Sequence, residues 1–203
     1  MPYLLAILSL STLLCNAELI ASDKNLTTTD TINQNILVPA YSQIDSLHTI
    51  NGNITLRSGV KVKQINSVNG QIEGDTELKV TANIRSVNGN IRLAQGSVVQ
   101  GSISSISGSI VLNNVLVTGN VTTYHGDIRL SGQTIIKGDI IIGAANAPSN
   151  TSLVGYSMPT IWISDEVQIL GSLVLLQPAE LHMNNASIAT DIQYFTARAH
   201  NTF

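Results

Sequence analysis

A short apolar motif with a central glycine recurs along this chain, and its spacing constrains the fold more than any other feature. The motif first occurs at residues 50–56, as Ile-Asn-Gly-Asn-Ile-Thr-Leu. Its glycine returns after 18, 19, 19 and 18 residues, at Gly52, Gly70, Gly89, Gly108 and Gly126. A repeat this short cannot bury a core by itself, so neighbouring repeats must stack on one another. The spacing therefore predicts a solenoid.

Each repeat contains three short segments that alternate inward and outward, which is typical of strands, and we expect their aliphatic residues to point into the core. The first segments contain Ile54/Leu56, Ile72, Ile91/Leu93, Ile110/Leu112 and Ile128/Leu130. The second contain Val60/Val62, Leu78/Val80, Val98, Val115/Val117 and Ile135, and the third contain Ile65, Ile84, Ile103, Val121 and Ile140. We predict an all-β fold, a single-stranded parallel β-helix of triangular cross-section with 18–19 residues per coil.

The polar residues beside the glycines predict the corners of this prism. Asn and Gly tolerate backbone conformations that other residues avoid, so we expect each Asn-Gly pair to form a turn. Stacking then brings like side chains above one another, and their amides should bond along the axis. Ser107 and His125 should continue the same column. The predicted structural corner ladder is Asn51, Gly52, Asn69, Gly70, Asn88, Gly89, Ser107, Gly108, His125 and Gly126.

The amino-terminal segment predicts export. Residues 3–14 form an apolar segment that is too short to span a bilayer, which indicates a signal peptide over 1–17. We expect the mature chain to lack a transmembrane span and to lie in the periplasm or at the cell surface. Anchoring through a lipidated Cys15 is the alternative. We expect a polar tail or N-terminal cap at 18–35, the β-helix at 36–193 with a loop insertion at 144–159, and a C-terminal cap or tail at 194–203.

Charge and composition argue against several functions. The chain has a net charge of -3 and only ten Lys and Arg, with no basic run, so we expect no nucleic acid partner. Asp127 and Asp139 are twelve residues apart and should lie on different edges of the prism, which does not favour paired-carboxylate catalysis. The four histidines share no metal-ligand spacing. We therefore predict a non-enzymatic protein without metal or cofactor.

Trp162 is the candidate for partner contact. If Ile161 and Ile163 point into the core, the indole points outward beside the insertion, where it could stack on a sugar ring or a partner protein. The alternative is a local cluster in which Gly155, Tyr156 and Met158 cover the ring.

The succession of Gly-x-Ile-x-Leu coils with Asn-Gly corners, from about residue 36 to 142, resembles the bactofilins, the polymer-forming cytoskeletal proteins. It is also similar to exported adhesin-like β-solenoid domains. The bactofilin resemblance implies a right-handed helix that assembles end to end into filaments without a nucleotide. We accordingly expect an exported structural protein of the bacterial envelope that associates with itself through coil ends or faces. An adhesin-like module that binds an envelope glycan or protein is the alternative.

Overall fold

The computed structural model describes residues 18–20, 25–143, 158–183 and 191–194. The predicted signal peptide with Cys15, most of the insertion at 144–159 and nearly all of the tail at 194–203 lie outside the described residues. Every regular element in the described part is a β-strand. None of these residues forms a helix of the length and apolarity that a membrane span requires.

The strands are short and follow one another at turn-sized intervals. In the first half of the chain they are β1 (Glu18–Ile20), β2 (Asn25–Thr31), β3 (Asn35–Val38), β4 (Gln43–Thr49), β5 (Ile54–Leu56), β6 (Lys61–Ser67), β7 (Ile72–Gly74), β8 (Lys79–Val80), β9 (Ile84–Ser86), β10 (Ile91–Leu93), β11 (Val98–Val99) and β12 (Ile103–Ser105). In the second half they are β13 (Ile110–Asn113), β14 (Leu116–Val117), β15 (Val121–Thr123), β16 (Ile128–Ser131), β17 (Ile135–Ile136), β18 (Ile140–Ile142), β19 (Thr160–Ile163), β20 (Gln168–Ile169), β21 (Leu173–Leu175), β22 (Glu180–Met183) and β23 (Ile192–Tyr194).

These strands form the three faces of a parallel β-helix, which confirms the predicted fold class. The first face is a nine-stranded sheet in the order β1-β3-β5-β7-β10-β13-β16-β19-β22. The second face contains β8, β11, β14, β17 and β20, and the third contains β9, β12, β15, β18, β21 and β23. The long strands β2, β4 and β6 each span the second and third faces and join them into one fourteen-stranded sheet. All pairings are parallel, as stacked coils of one chain require.

The interior is a stack of aliphatic side chains that repeats from coil to coil. Ile54 pairs with Ile36 below and Ile72 above, and all three are at most 1% exposed. A fully buried aliphatic side chain contributes about 1.5–3 kcal/mol to stability. The core is therefore stabilised by the sum of many such side chains, one set per coil, and not by large aromatic rings. Two buried hydroxyls, Ser97 and Thr134, occupy core positions that valine or leucine fills in other coils.

The register of the second face corrects two predicted core residues. Val98 pairs with Lys79 and points outward, whereas Val99 pairs with Val80 and is fully buried. In the same way Ile136 is buried and Ile135 is half-buried on the outside. The prediction took the first aliphatic residue after the corner as the inward one. It was wrong because the buried hydroxyls of Ser97 and Thr134 already fill the preceding inward position in these coils.

The pairing of strands between coils begins before the predicted first coil and continues after the insertion. Strands β1 and β2 pair with β3 and β4, so a coil precedes Ile36, where a tail or cap was expected. After the insertion, Ile128 pairs with Ile161, whose number is 33 higher, and the same offset joins the other two faces. The residues between Gly143 and Met158 therefore interrupt the sequence repeat, while the stacking of coils continues through β19 to β23.

Candidate functional site

An amide ladder runs along the corner between the third and first faces. Asn51 Nδ2 donates to Asn33 Oδ1 at 2.7 Å, Asn69 Nδ2 donates to Asn51 Oδ1 at 2.7 Å, and Asn88 Nδ2 donates to Asn69 Oδ1 at 2.8 Å. Sequence reasoning missed Asn33, although it lies 18 residues before Asn51. The chain of amides occupies the exposed corner and links four successive coils.

Ser107 and His125 follow in the same column through their backbones. The N–H of Ser107 donates to Val87 O at 2.8 Å, and that of His125 donates to Ile106 O at 2.7 Å. The His125 imidazole is half-buried and lies edge-on to the Tyr124 ring, with 4.3 Å between the ring centroids. After Asn88 the column is therefore held by backbone hydrogen bonds, and at His125 the side chain packs against a neighbouring ring.

The corner glycines are required for a different reason from the one that the sequence suggested. Gly52, Gly70, Gly89, Gly108 and Gly126 are buried, and none of them has a positive φ. Instead, a Cβ on any one would overlap backbone one coil below; at Gly89 it would overlap the Gly70 carbonyl. The coils stack too closely at this corner for any side chain.

A buried hydroxyl three residues before each glycine holds the turn. The glycine N–H donates to this oxygen, at 3.1 Å for Thr49, 3.0 Å for Ser67 and 2.9 Å for Ser86. Ser105 and Thr123 repeat the contact at 2.9 Å. Each hydroxyl is at most 4% exposed. The pattern Ser/Thr-x-x-Gly was present in the sequence and could have identified these turns, because short hydroxyl side chains favour local backbone hydrogen bonds.

Two of the acids in the stacked coils, Asp127 and Asp139, serve as acceptors between coils. Asp127 Oδ1 accepts the N–H of Thr160 at 2.9 Å, and Asp139 Oδ1 accepts the N–H of Ser172 at 2.9 Å. Asn120 accepts the N–H of Asp139 at 2.9 Å in the same manner. The carboxylates thus continue columns of polar side chains that each receive a backbone N–H from the coil above.

The acids and histidines of the described part occur singly or in pairs. Across residues 18–20, 25–143, 158–183 and 191–194, no three His, Cys, Asp or Glu residues are grouped so that they could hold a metal ion. The ion pairs described here are isolated and exposed: His48 with Asp30, Arg57 with Asp75, and His182 with Glu180. Exposed pairs of this kind contribute little to stability.

Trp162 lies on the outside of the first face, between the side chains of the coils below and above it. The Arg129 guanidinium carbon is 4.0 Å from the centroid of the indole, and the His182 ring stacks on it at 5.6 Å with an 8° interplanar angle. The strand register places these residues in one column. Both faces of the indole are therefore occupied by neighbouring side chains. Gly155 and Tyr156, which were expected to cover the ring, lie outside the described residues.

A shallow groove of about 660 Å³ runs along the first face, next to Trp162. Arg92, Val111 and Arg129 lie along its floor, with Asn90, Ser109 and the carboxylate of Asp127 at one side. Arg92 and Arg129 are exposed and lie two coils apart, on either side of Val111. At about 4.8 Å per coil their Cα atoms are about 10 Å apart.

A row of apolar side chains, the apolar ridge, follows the corner immediately before the amide ladder. Ile32 is 64% exposed, Ile106 49% and Ile50 36%, and the remaining members are half-buried. Backbone bonds stack them coil on coil, for example from Val68 N to Thr49 O. Three of the six positions in this row are exposed, which makes the row a candidate contact surface. The apolar ridge consists of Ile32, Ile50, Val68, Val87, Ile106 and Tyr124.

Comparison with known proteins adds no family to this description. No family model matches the chain, and searches of curated proteins and of solved structures find no significant match.

Proposed function

We propose that this protein is a non-enzymatic structural protein, exported to the bacterial envelope, whose solenoids associate with one another along their length. The observation that carries the proposal is the apolar ridge, which presents one apolar side chain per coil over six coils. At about 4.8 Å per coil the ridge is about 24 Å long. Contiguous exposed apolar surface marks protein contact sites more often than single exposed apolar side chains do. The bactofilin-like repeat supports the same class of function.

A second copy of the chain is a suitable partner because the ridge is self-complementary in an antiparallel pairing. Ile32 would then face Tyr124 of the second copy, Ile50 would face Ile106, and Val68 would face Val87. This is the isologous arrangement of a twofold contact, in which each contact occurs twice.

The flanking side chains are compatible with this pairing. On one side of the ridge lie the neutral amides of the Asn ladder. On the other side Asp30 would face Thr122 of the second copy, and Arg85 would face Asn66. No like charges meet, so apolar burial is not opposed by repulsion.

The contact is small, and this determines how it should behave. A stable interface buries about 1,200–2,000 Å², whereas one narrow ridge about 24 Å long offers less. We therefore expect a weak dimer whose population depends on protein concentration.

The proposal is tested by sedimentation velocity and negative-stain electron microscopy over a range of concentrations. The wild-type protein should form concentration-dependent dimers, and the double variant Ile50→Asn/Ile106→Asn should remain monomeric with an unchanged melting temperature. The matched control is Met158→Asn/Leu170→Asn, which alters two side chains that are 55% and 59% exposed elsewhere. A wild-type protein that stays monomeric at high concentration, or a ridge variant that associates like the control, would contradict the proposal.

An adhesin-like module for an acidic glycan is the second candidate, and the groove on the first face favours it. Arg92 and Arg129 could each bind a carboxylate of such a chain, while Asn90 and Ser109 supply neutral hydrogen-bond partners. A glycan array would test this, with Arg92→Ala expected to abolish retention of acidic glycans. Equal retention by wild-type and variant protein would exclude the groove. Stacking of a sugar on Trp162 is disfavoured because both ring faces are covered.

A further inference from the structure

All lysines in the described part of the chain lie on the second face. Lys61 and Lys79 are neighbours in adjacent strands, Lys63 is two residues after Lys61, and Lys137 follows the buried Ile136. All four side chains are exposed. Although the whole chain carries a net charge of -3, the fold concentrates positive charge on one flat surface.

The arrangement is unfavourable for the isolated protein. Parallel pairing places Lys61 directly beside Lys79, and like charges in such a pair destabilise a sheet. None of the ion pairs found among the described residues involves these lysines. Asp45, exposed on the preceding coil, is the acid closest in register to Lys63, since Ile44 pairs with Val62. The second face thus carries four lysines and one acid, and Glu77, Asp165 and Glu166 are exposed at the turns that lead into it.

An aliphatic row continues the lysine column along the same face. Lys79 pairs with Val98, Val98 with Leu116, and Leu116 with Ile135, so these three aliphatic residues all point outward. They are half-buried, and Leu170, one coil further, is 59% exposed. The second face is thus basic at one end and apolar in its centre, with Lys137 beside the apolar row.

We propose that the second face binds the surface of an anionic lipid membrane. Lysine ammonium groups are attracted to anionic headgroups, and adjacent aliphatic side chains can enter the interfacial region. The flat face presents both kinds of group in one plane. This inference does not depend on self-association.

Other occupants fit the face less well. In an antiparallel pairing of two second faces, Lys79 would lie against Ile135 of the second copy and bury an ammonium group without a counter-charge. An acidic polysaccharide would match the lysines but would leave the row of Val98, Leu116 and Ile135 in contact with polar sugar. A lipid surface accommodates the lysines and the aliphatic row together.

Vesicle co-sedimentation tests the proposal. The protein should bind vesicles of mixed phosphatidylglycerol and phosphatidylcholine, should not bind phosphatidylcholine alone, and should bind less at high salt. Since each lysine near an anionic surface changes binding roughly fivefold, Lys61→Gln/Lys79→Gln should weaken it by roughly 25-fold. The matched control is Arg85→Gln, which removes one charge from the third face and is compared with Lys79→Gln, for which a roughly fivefold loss is expected. An equal loss in this control would overturn the assignment to the second face.

The aliphatic row is tested separately with Leu116→Ser, whose side chain is half-buried, after its melting temperature has been verified. This variant should bind the anionic vesicles several-fold more weakly while keeping the salt dependence. Unchanged binding by a folded Leu116→Ser protein, combined with tight binding to a soluble acidic polysaccharide that competes with the vesicles, would overturn the lipid assignment in favour of the polysaccharide.

Discussion

Asp127 Oδ1 accepts a hydrogen bond from the backbone N–H of Thr160 at 2.9 Å, across 33 positions of sequence. This contact joins the last coil before the insertion to the first coil after it. Asp139 and Ser172 make the equivalent contact on another corner, also at 2.9 Å and across 33 positions. The two carboxylates that could have suggested catalysis therefore help to resume the stack after its interruption.

The Asp127 contact requires an acceptor oxygen and does not require a charge. Asp127→Ala leaves a half-buried N–H without its partner and should lower the free energy of unfolding by about 1–3 kcal/mol. Asp127→Asn keeps an oxygen at the same position, as Asn120 does toward Asp139, and should be nearly neutral. Thermal unfolding of both variants measures the difference. A loss with Asn as large as with Ala would show that the negative charge itself is needed.

Close stacking at the glycine column predicts a large effect of any side chain there. Gly89→Val should destabilise the protein by about 1–3 kcal/mol or more, because the added carbons overlap the Gly70 carbonyl and backbone must shift. Gly96→Val serves as the comparison that separates backbone strain from steric overlap. Its φ of 77° strains any side chain, but its Cβ would have ordinary contacts with Glu77. Chemical denaturation gives both values. Unchanged stability of Gly89→Val would refute the close approach at this corner.

The register of the second face can be tested with two adjacent valines. Val99→Ser removes buried methyl groups and buries a hydroxyl, which should cost about 2 kcal/mol or more. Val98→Ser changes an outward side chain and should cost less than about 1 kcal/mol. Urea denaturation of the pair checks the assignment. A larger loss of stability for Val98→Ser than for Val99→Ser would instead support the register in which Val98 points into the core.

Much of the fold could be read from the sequence because a stacked coil repeats its environment. Ile54 and Ile72 occupy the same position one coil apart, so the same side chain suits both, and the spacing of 18 or 19 residues appears directly in the sequence. Predicting Val98 and Ile135 as core failed because aliphatic residues occur on both sides of the second face. Where both sides are apolar, alternation cannot indicate which residue points inward.

The periodicity of the chain was sufficient to predict the parallel β-helix, its three strands per coil and the positions of its corner glycines. The folded structure was needed to show that these glycines allow close stacking, that Asp127 and Asp139 hold neighbouring coils, and that Lys61, Lys79 and Lys137 share one face. The physical reason is that periodicity records which positions are equivalent from coil to coil. The direction of an outward side chain, and its neighbours across the faces, depend on the register of the coils, which the hydrogen bonds of the folded chain set.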